Sequence, residues 1–123
     1  MILDTSAWIE FFLKTKKGER VKTTLESFEC YTSIVSIAEI SQWALRQNLD
    51  GKPFITTIAE CSQFIPLNSE ISFIAGELNH HRKKAGIKWG MIDSLIVATA
   101  KSYGLSILTK DTHFKDIPDV EIL

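Results

Sequence analysis

Residues 1–12 read MILDTSAWIEFF. A short apolar strand, Ile2-Leu3, runs directly into Asp4, and after two hydroxyl residues an apolar segment follows that has the character of a helix. In open α/β sheets, ligands bind in the crevice outside the carboxyl ends of the strands, where the strand order reverses. An acidic residue directly after a first strand is therefore well placed for function.

The bulk composition is that of a globular domain. The chain has 123 residues, of which 45% are hydrophobic and 24% charged, and this suits one domain over residues 1–123. No apolar run approaches the roughly 20 residues needed to cross a bilayer. The N-terminus lacks a secretory signal, so we expect a cytoplasmic protein with no membrane partner. Cys30 and Cys61 are too few for a disulfide framework or a zinc site and predict two buried free thiols.

Strand-like and helical segments alternate along the chain. Short apolar strands are predicted at residues 2–3, 30–32, 64–67, 105–109 and 120–123. Helical periodicity is found over 7–13, 19–28, 33–45 and 92–103, with further helices from Pro53 and after Asn68. This alternation implies a parallel sheet with right-handed crossovers. The predicted fold class is α/β, a three-layer α/β/α sandwich with a central parallel sheet.

Four acidic residues stand apart from those expected on solvated helix faces. Asp4 and Asp111 follow strands, Glu39 lies on an otherwise apolar helical face, and Asp93 stands at the start of the most apolar helix. Asp4 could simply cap the next helix, and Asp111 could form a turn. Glu39 has capping-box spacing from Ser36, although the helical period begins before that serine. A first-turn Asp93 would suit the helix dipole. Taken singly, each acid is open to either interpretation.

Taken together, the four acids favour a metal site. They lie on elements that a parallel sheet would bring to one edge, and clustered carboxylates repel one another unless a cation is present. Ligation by oxygen alone selects Mg²⁺ or Mn²⁺ rather than zinc. Such a site serves phosphate chemistry, because the ion activates water and stabilises the leaving oxygen.

The same residues resemble a known family. The segments LDTS, TSIVSIAEI, MIDSLIVATA and SILTKDTHF, in that order, resemble the PIN domain across essentially the whole chain. Within it, the resemblance is closest to the VapC-like ribonuclease toxins of prokaryotic toxin–antitoxin pairs. The resemblance implies four metal-binding catalytic acids and two supporting hydroxyl residues, which are Asp4, Glu39, Asp93, Asp111, Ser6 and Thr109.

The resemblance also implies an activity and partners. The family cuts RNA endonucleolytically with Mg²⁺ or Mn²⁺, leaving a 5′-phosphate and a 3′-hydroxyl. A small antitoxin usually blocks the site, and the toxins commonly form homodimers. The chain departs from the family pattern at Ser94, where a small apolar residue is common. The fourth acid is the least constant in the family, so Asp116 is an alternative to Asp111.

Basic residues could supply RNA contacts in two places. Lys16 and Lys17 lie in the first basic segment, and Arg82 and Lys83 in the second, although each segment could equally be a solvated helix end or loop. Two other functions remain open: a PIN-type nuclease of RNA processing or directed at DNA, and a non-catalytic module that binds RNA or a protein.

Two other classes of Mg²⁺-dependent protein are disfavoured. A phosphoacceptor receiver domain needs an acidic pair after its first strand, and only Asp4 is present there. A phosphatase with an Asp-x-Asp nucleophile needs a second aspartate where this chain has Ser6.

Overall fold

The computed structural model describes all 123 residues. Its strands are β1 (Ile2–Leu3), β2 (Tyr31–Ser33), β3 (Gln63–Ile65), β4 (Ile107–Thr109) and β5 (Val120–Ile122). They form one sheet in the order β3-β2-β1-β4-β5, and every neighbouring pair is parallel. The predicted α/β class is confirmed.

Helices cover both faces of this sheet. They are α1 (Thr5–Leu13), α2 (Lys16–Ser27), α3 (Val35–Arg46), α4 (Lys52–Cys61), α5 (Ser69–Lys84) and α6 (Met91–Tyr103), with a single 3₁₀ turn at Thr112–Phe114. Side chains alternate along β1: Ile2 belongs to one buried cluster with Val97 of α6, and Leu3 belongs to another with Trp8 of α1. The sheet is therefore the middle layer of the predicted sandwich.

The strand order reverses at β1, which places the carboxyl end of that strand at the candidate site. β1 pairs with β2 on one side and with β4 on the other, so the connections that follow it leave a crevice at this point. The Asp4 N–H donates to the Leu108 carbonyl at 2.9 Å, which continues the β1–β4 ladder beyond the strand. Asp4 consequently sits beside the end of β4.

The lysine-rich segment after α1 differs from its prediction. We predicted that the second helix begins at residue 19, but α2 already begins at Lys16. Lys14 adopts a left-handed φ of 55° and ends α1, and the Thr15 hydroxyl then accepts a hydrogen bond from the Gly18 N–H at 3.0 Å. A side chain at Gly18 would clash, because a Cβ there would lie 2.2 Å from the Glu10 carbonyl oxygen.

Other local predictions have mixed outcomes. The Asn68 side chain caps α5 by accepting from the Ile71 N–H at 2.8 Å, and Gly104 ends α6 with a φ of 62°. Cys30 is buried as predicted, but Cys61 is exposed at the end of α4, so that part of the prediction is wrong. None of the helices is both long and apolar enough to span a membrane.

Candidate active site

Asp4 is buried at the carboxyl edge of the sheet and is held there by two hydroxyl groups. Its side chain makes no helix-capping hydrogen bond, so the capping alternative does not describe it. The hydroxyls of Ser6 and Thr109 each donate to Asp4 Oδ2 at 2.7 Å. Both hydroxyls also accept from the chain after β4: Ser6 from the Lys110 N–H and Thr109 from the Asp111 N–H, each at 3.0 Å. These bonds tie the first acid to the segment that carries the fourth.

Glu39 is joined to the same region through the residue after Asp4. Thr5 Oγ1 donates to Glu39 Oε1 at 2.7 Å, and Ser36 Oγ lies 2.9 Å from the same hydroxyl. α3 begins at Val35, so Ser36 lies inside the helix and is not its N-cap. The capping-box alternative for Glu39 therefore fails, and the carboxylate is anchored to α1 instead.

Asp93 and Asp111 combine a structural bond with a position in a cavity. Asp93 Oδ2 accepts from the Gly90 N–H at 3.0 Å and so fixes the start of α6. Asp111 Oδ1 accepts from the His113 N–H at 2.9 Å and caps the 3₁₀ turn. Both carboxylates line a cavity of about 420 Å³ whose other walls are Lys88, Trp89, Gly90 and His113. The structural roles predicted as alternatives, at the helix start for Asp93 and in a turn for Asp111, are therefore present. Each of these hydrogen bonds uses one carboxylate oxygen.

Burial and mutual repulsion shape the charges of these acids. Burial raises the pKa of Asp4, Glu39 and Asp93 above the ordinary values, and hydrogen bonds from Ser6 and Thr109 oppose this effect at Asp4. The charge of Asp4 raises the pKa of Glu39 and of Asp93 further. The carboxylates therefore resist full ionisation together, and a bound cation would relieve this repulsion.

The chemistry of the donor set fits a hard cation, although the present conformation does not form a closed cage. No three His, Cys, Asp or Glu side chains converge closely enough to hold a metal ion. Each of the four predicted acids nevertheless has one oxygen that accepts a hydrogen bond from the protein and a second oxygen that accepts none. Fixed carboxylates with a free oxygen are the kind of ligand that Mg²⁺ takes, usually with several waters.

The four predicted RNA-contact residues differ in accessibility. Lys16, Lys17 and Lys83 are exposed. Arg82 is buried, with 7% exposure, and its guanidinium binds Asp116 and the His113 carbonyl. This contradicts the predicted RNA contact, because a guanidinium that is sequestered inside the protein cannot reach a phosphate. Asp116 was considered as an alternative to Asp111, but the Arg82 guanidinium binds both of its carboxylate oxygens.

Sequence reasoning missed three groups around the acids. Lys88 is the exposed cation of the cavity, and its place just ahead of Gly90 and the apolar helix was the available signal. Lys110 forms an ion pair with the buried Glu10 of α1 at 2.5 Å. Ser94 has a role that its departure from the family pattern did not reveal: its hydroxyl accepts from Trp89 Nε1 at 2.6 Å.

Comparison with known proteins places this geometry in a family. The family model described as the PIN domain matches residues 1–120. A search of curated protein sequences found no match.

Solved structures share the fold over nearly the whole chain. A toxin–antitoxin complex from Klebsiella pneumoniae matches with a TM-score of 0.75 and 21% identity, covering 98% of this chain and 94% of that one. VapBC2 from Rickettsia felis, bound to a promoter DNA fragment, matches with a TM-score of 0.75 and 16% identity over 99% and 96% of the two chains. FitAcB from Neisseria gonorrhoeae matches with a TM-score of 0.71 and 25% identity over 99% and 95%. Because the family model matches 120 residues and these structures share the fold, the chain belongs to the PIN domain family.

Proposed function

We propose that this protein is a divalent-metal-dependent endoribonuclease and the toxin of a toxin–antitoxin pair. The observation that carries the proposal is the state of the four acids at the carboxyl edge of the sheet. Each is held through one oxygen and keeps the other free. Burial raises the pKa of Asp4, Glu39 and Asp93, and repulsion from Asp4 adds to this at Glu39 and Asp93. The fold brings such groups together at a cost in stability that a bound cation would offset.

The residues have separate tasks in this proposal. Asp4, Glu39 and Asp93 would hold Mg²⁺ or Mn²⁺, and Asp111 would complete the site or orient water. A bound divalent cation supplies Lewis acidity, which activates water and offsets negative charge on the scissile phosphate. Ser6 and Thr109 favour the ionised form of Asp4 and orient its carboxylate, because their hydroxyls donate to it.

RNA would meet the acids beside two exposed groups of the same cavity. Lys88 offers a positive charge next to Asp93 and Asp111, where a phosphate flanking the scissile bond would otherwise meet only negative charge. The His113 ring lies with Nδ1 2.7 Å from Asp111 Oδ1. Lys16, Lys17 and Lys83 remain proposed contacts for more distant phosphates.

An antitoxin is proposed as the protein partner, because solved structures with this fold include a toxin–antitoxin complex and a member of the VapBC family of toxin–antitoxin systems. We propose that the antitoxin binds in a groove of about 920 Å³ between α1, α2 and α4. Phe11, Phe12 and Phe54 supply apolar surface there, with the Phe12 and Phe54 ring centroids 4.7 Å apart, and charged side chains surround them. We also propose a homodimer acting in the cytoplasm, and light scattering of the purified protein tests the dimer.

Cleavage assays test the proposed chemistry. The purified protein, freed of any bound partner, is incubated with a structured RNA pool or the matching DNA pool in Mg²⁺, Mn²⁺ or chelator. Asp93→Asn removes a proposed ligand with little change in shape, and Glu77→Gln makes the same chemical change at an exposed acid of α5. We expect metal-dependent RNA cuts with new 5′-phosphates, reduced more than about 100-fold in the first variant and unchanged in the second.

The alternatives give different results in the same assay. Cleavage of DNA in preference to RNA would favour a DNA-directed nuclease. RNA binding without cleavage by any metal would favour a non-catalytic module. Cleavage that survives Asp93→Asn would refute the site assignment.

A further inference from the structure

Arg82 is a buried cation of α5 whose side-chain hydrogen bonds all reach the segment that follows Asp111. Its Nη1 donates to Asp116 Oδ2 at 2.9 Å, and its Nη2 donates to Asp116 Oδ1 at 3.1 Å. Nη2 also donates to the His113 carbonyl at 2.7 Å. One guanidinium thus binds the chain both inside the 3₁₀ turn and two residues after its end. Such a planar fork fits a bidentate carboxylate, which an ammonium group cannot match.

The same guanidinium stacks on the residue that leads into α6. Its Cζ lies 3.9 Å from the centre of the Trp89 ring. The Trp89 ring packs on Phe114 with centroids 4.7 Å apart, and its Nε1 donates to Ser94 Oγ at 2.6 Å. Ser94 directly follows Asp93. The stack therefore joins the turn after Asp111 to the helix start that carries Asp93.

Asp111 needs such anchors because it lies outside regular secondary structure. On its N-terminal side, Thr109 Oγ1 accepts its N–H, and the neighbouring Lys110 side chain is paired with Glu10. On its C-terminal side, the turn is closed by hydrogen bonds from the His113 N–H to Asp111 Oδ1 and from the Phe114 N–H to the Asp111 carbonyl. The contacts of Arg82 hold that turn against α5.

Stability alone gives a weak account of this cluster. Arg82 Nε is buried and makes no hydrogen bond, which is an unfavourable arrangement. The Asp116 side chain is more than half exposed, and ion pairs open to solvent on one side contribute little net stability. The buried guanidinium is better explained by the positions that it imposes on Asp116, the His113 carbonyl and the Trp89 ring.

We propose that Arg82 is a positioning residue for the fourth acid: through Asp116, the His113 carbonyl and the Trp89 ring, it sets the turn from which Asp111 faces Asp93. The inference rests on the proposed function, because Asp111 matters only where the acids act together. Arg82 itself does not touch RNA or a metal ion. Its effect reaches the site through the 3₁₀ turn.

Two variants and a matched control test the proposal. Arg82→Lys keeps the charge and removes the fork, and Asp116→Asn weakens the pair at a side chain that is 56% exposed, where the fold tolerates change. Glu121→Gln breaks the Arg20–Glu121 ion pair, which is exposed and joins β5 to α2. Amide hydrogen exchange of His113 and Phe114 reports the position of Asp111 directly, because both amides bind that residue.

We expect a local change in both Arg82→Lys and Asp116→Asn. Exchange at His113 and Phe114 should accelerate about tenfold, since one charge-assisted bond is lost, while amides in the centre of α6 exchange as before. In the cleavage assay kcat should fall about tenfold with KM unchanged, because the contact with RNA is retained. Glu121→Gln should change neither quantity.

Several outcomes would overturn the inference. Unchanged exchange at the two amides would show that Arg82 does not hold the turn. Acceleration across the whole chain would show that it only stabilises the fold. A loosened turn with undiminished kcat would show that the position of Asp111 does not matter. If the wild-type protein cleaves no RNA but the local exchange changes as expected, the proposed function fails while the structural role of Arg82 stands.

Discussion

Replacing Thr109 by valine should disable the site while leaving the fold in place. The two side chains have nearly the same shape, so the change removes the hydroxyl and little else. That hydroxyl is buried, donates to Asp4 Oδ2 at 2.7 Å and accepts from the Asp111 N–H at 3.0 Å. Thr109→Val thus removes the hydroxyl that contacts both the first and the fourth acid, while Ser6 still links Asp4 to the Lys110 N–H.

The magnitude follows from the two bonds. A hydrogen bond to a charged group contributes about 1.5–3 kcal/mol, and Asp4 loses one of its two hydroxyl donors. The Asp111 N–H loses its acceptor too, but Asp111 is about one-third exposed, so water can replace much of that bond. We expect the free energy of unfolding to fall by about 2–3 kcal/mol. Because Asp4 also becomes harder to ionise, kcat should fall about 10- to 100-fold.

Thr99→Val is the matched control. Thr99 is also buried, and its hydroxyl donates to the Leu95 carbonyl within α6 at 2.7 Å, with no acid involved. Urea unfolding and RNA cleavage are measured for both variants, and the control should lose about 1 kcal/mol of stability and no activity. If Thr109→Val keeps wild-type kcat, or loses no more than the control does, the supporting role of Thr109 is refuted.

Three further predictions concern the charges. Asp4→Asn should abolish cleavage. In urea melts at pH 7 it should raise the free energy of unfolding of the metal-free protein by about 1 kcal/mol, because a buried charge and its repulsion of Glu39 and Asp93 disappear. A destabilised variant would contradict this. Burial raises the pKa of Asp4, Glu39 and Asp93 in the folded protein, and repulsion from Asp4 adds to this at Glu39 and Asp93. The folded state therefore binds more protons than the unfolded chain above the ordinary carboxyl range. Metal-free protein should therefore have a higher urea midpoint at about pH 5 than at about pH 7, and added Mg²⁺ should reduce the difference; a midpoint that rises with pH would refute the sign. Lys88→Met in an Asp93→Asn background should weaken RNA binding and lower the salt slope by about one, whereas Lys101→Met, on the exposed end of α6, should not, and equal slopes would remove Lys88 from the interface.

The elements that sequence reasoning predicted best are those with strong local signals. The apolar period of α6 and the glycine that follows it were sufficient for that helix, and the apolar run before Thr109 was sufficient for β4. The predicted start of α2 was wrong because the helix start depends on Thr15 Oγ1 accepting from the Gly18 N–H and on close packing against α1. The charge pattern left a helix end and a loop equally open there, since the contact with α1 cannot be seen in the sequence.

Arg82 shows what a charge pattern cannot decide. In the sequence it stands among histidines and lysines, and nothing distinguishes it from Lys83 beside it. In the fold, helical rotation turns Lys83 to solvent and Arg82 inward onto Trp89 and Asp116. The partners lie seven and thirty-four residues further along the chain, so only the tertiary structure assigns them.

The arrangement of the four acids has a consequence for folding as well as for chemistry. Each free oxygen belongs to a carboxylate carried by a different part of the chain: the end of β1, α3, the start of α6, and the turn after β4. A cation shared among them would cross-link these elements, and its binding free energy would add to the stability of the folded state alone. The protein hydrogen bonds that hold the other oxygens fix each acid in place and leave one oxygen of each acid available to an ion. The site and the carboxyl edge of the sheet are then stabilised by the same ligand, and removal of Mg²⁺ should loosen that edge before it unfolds the core.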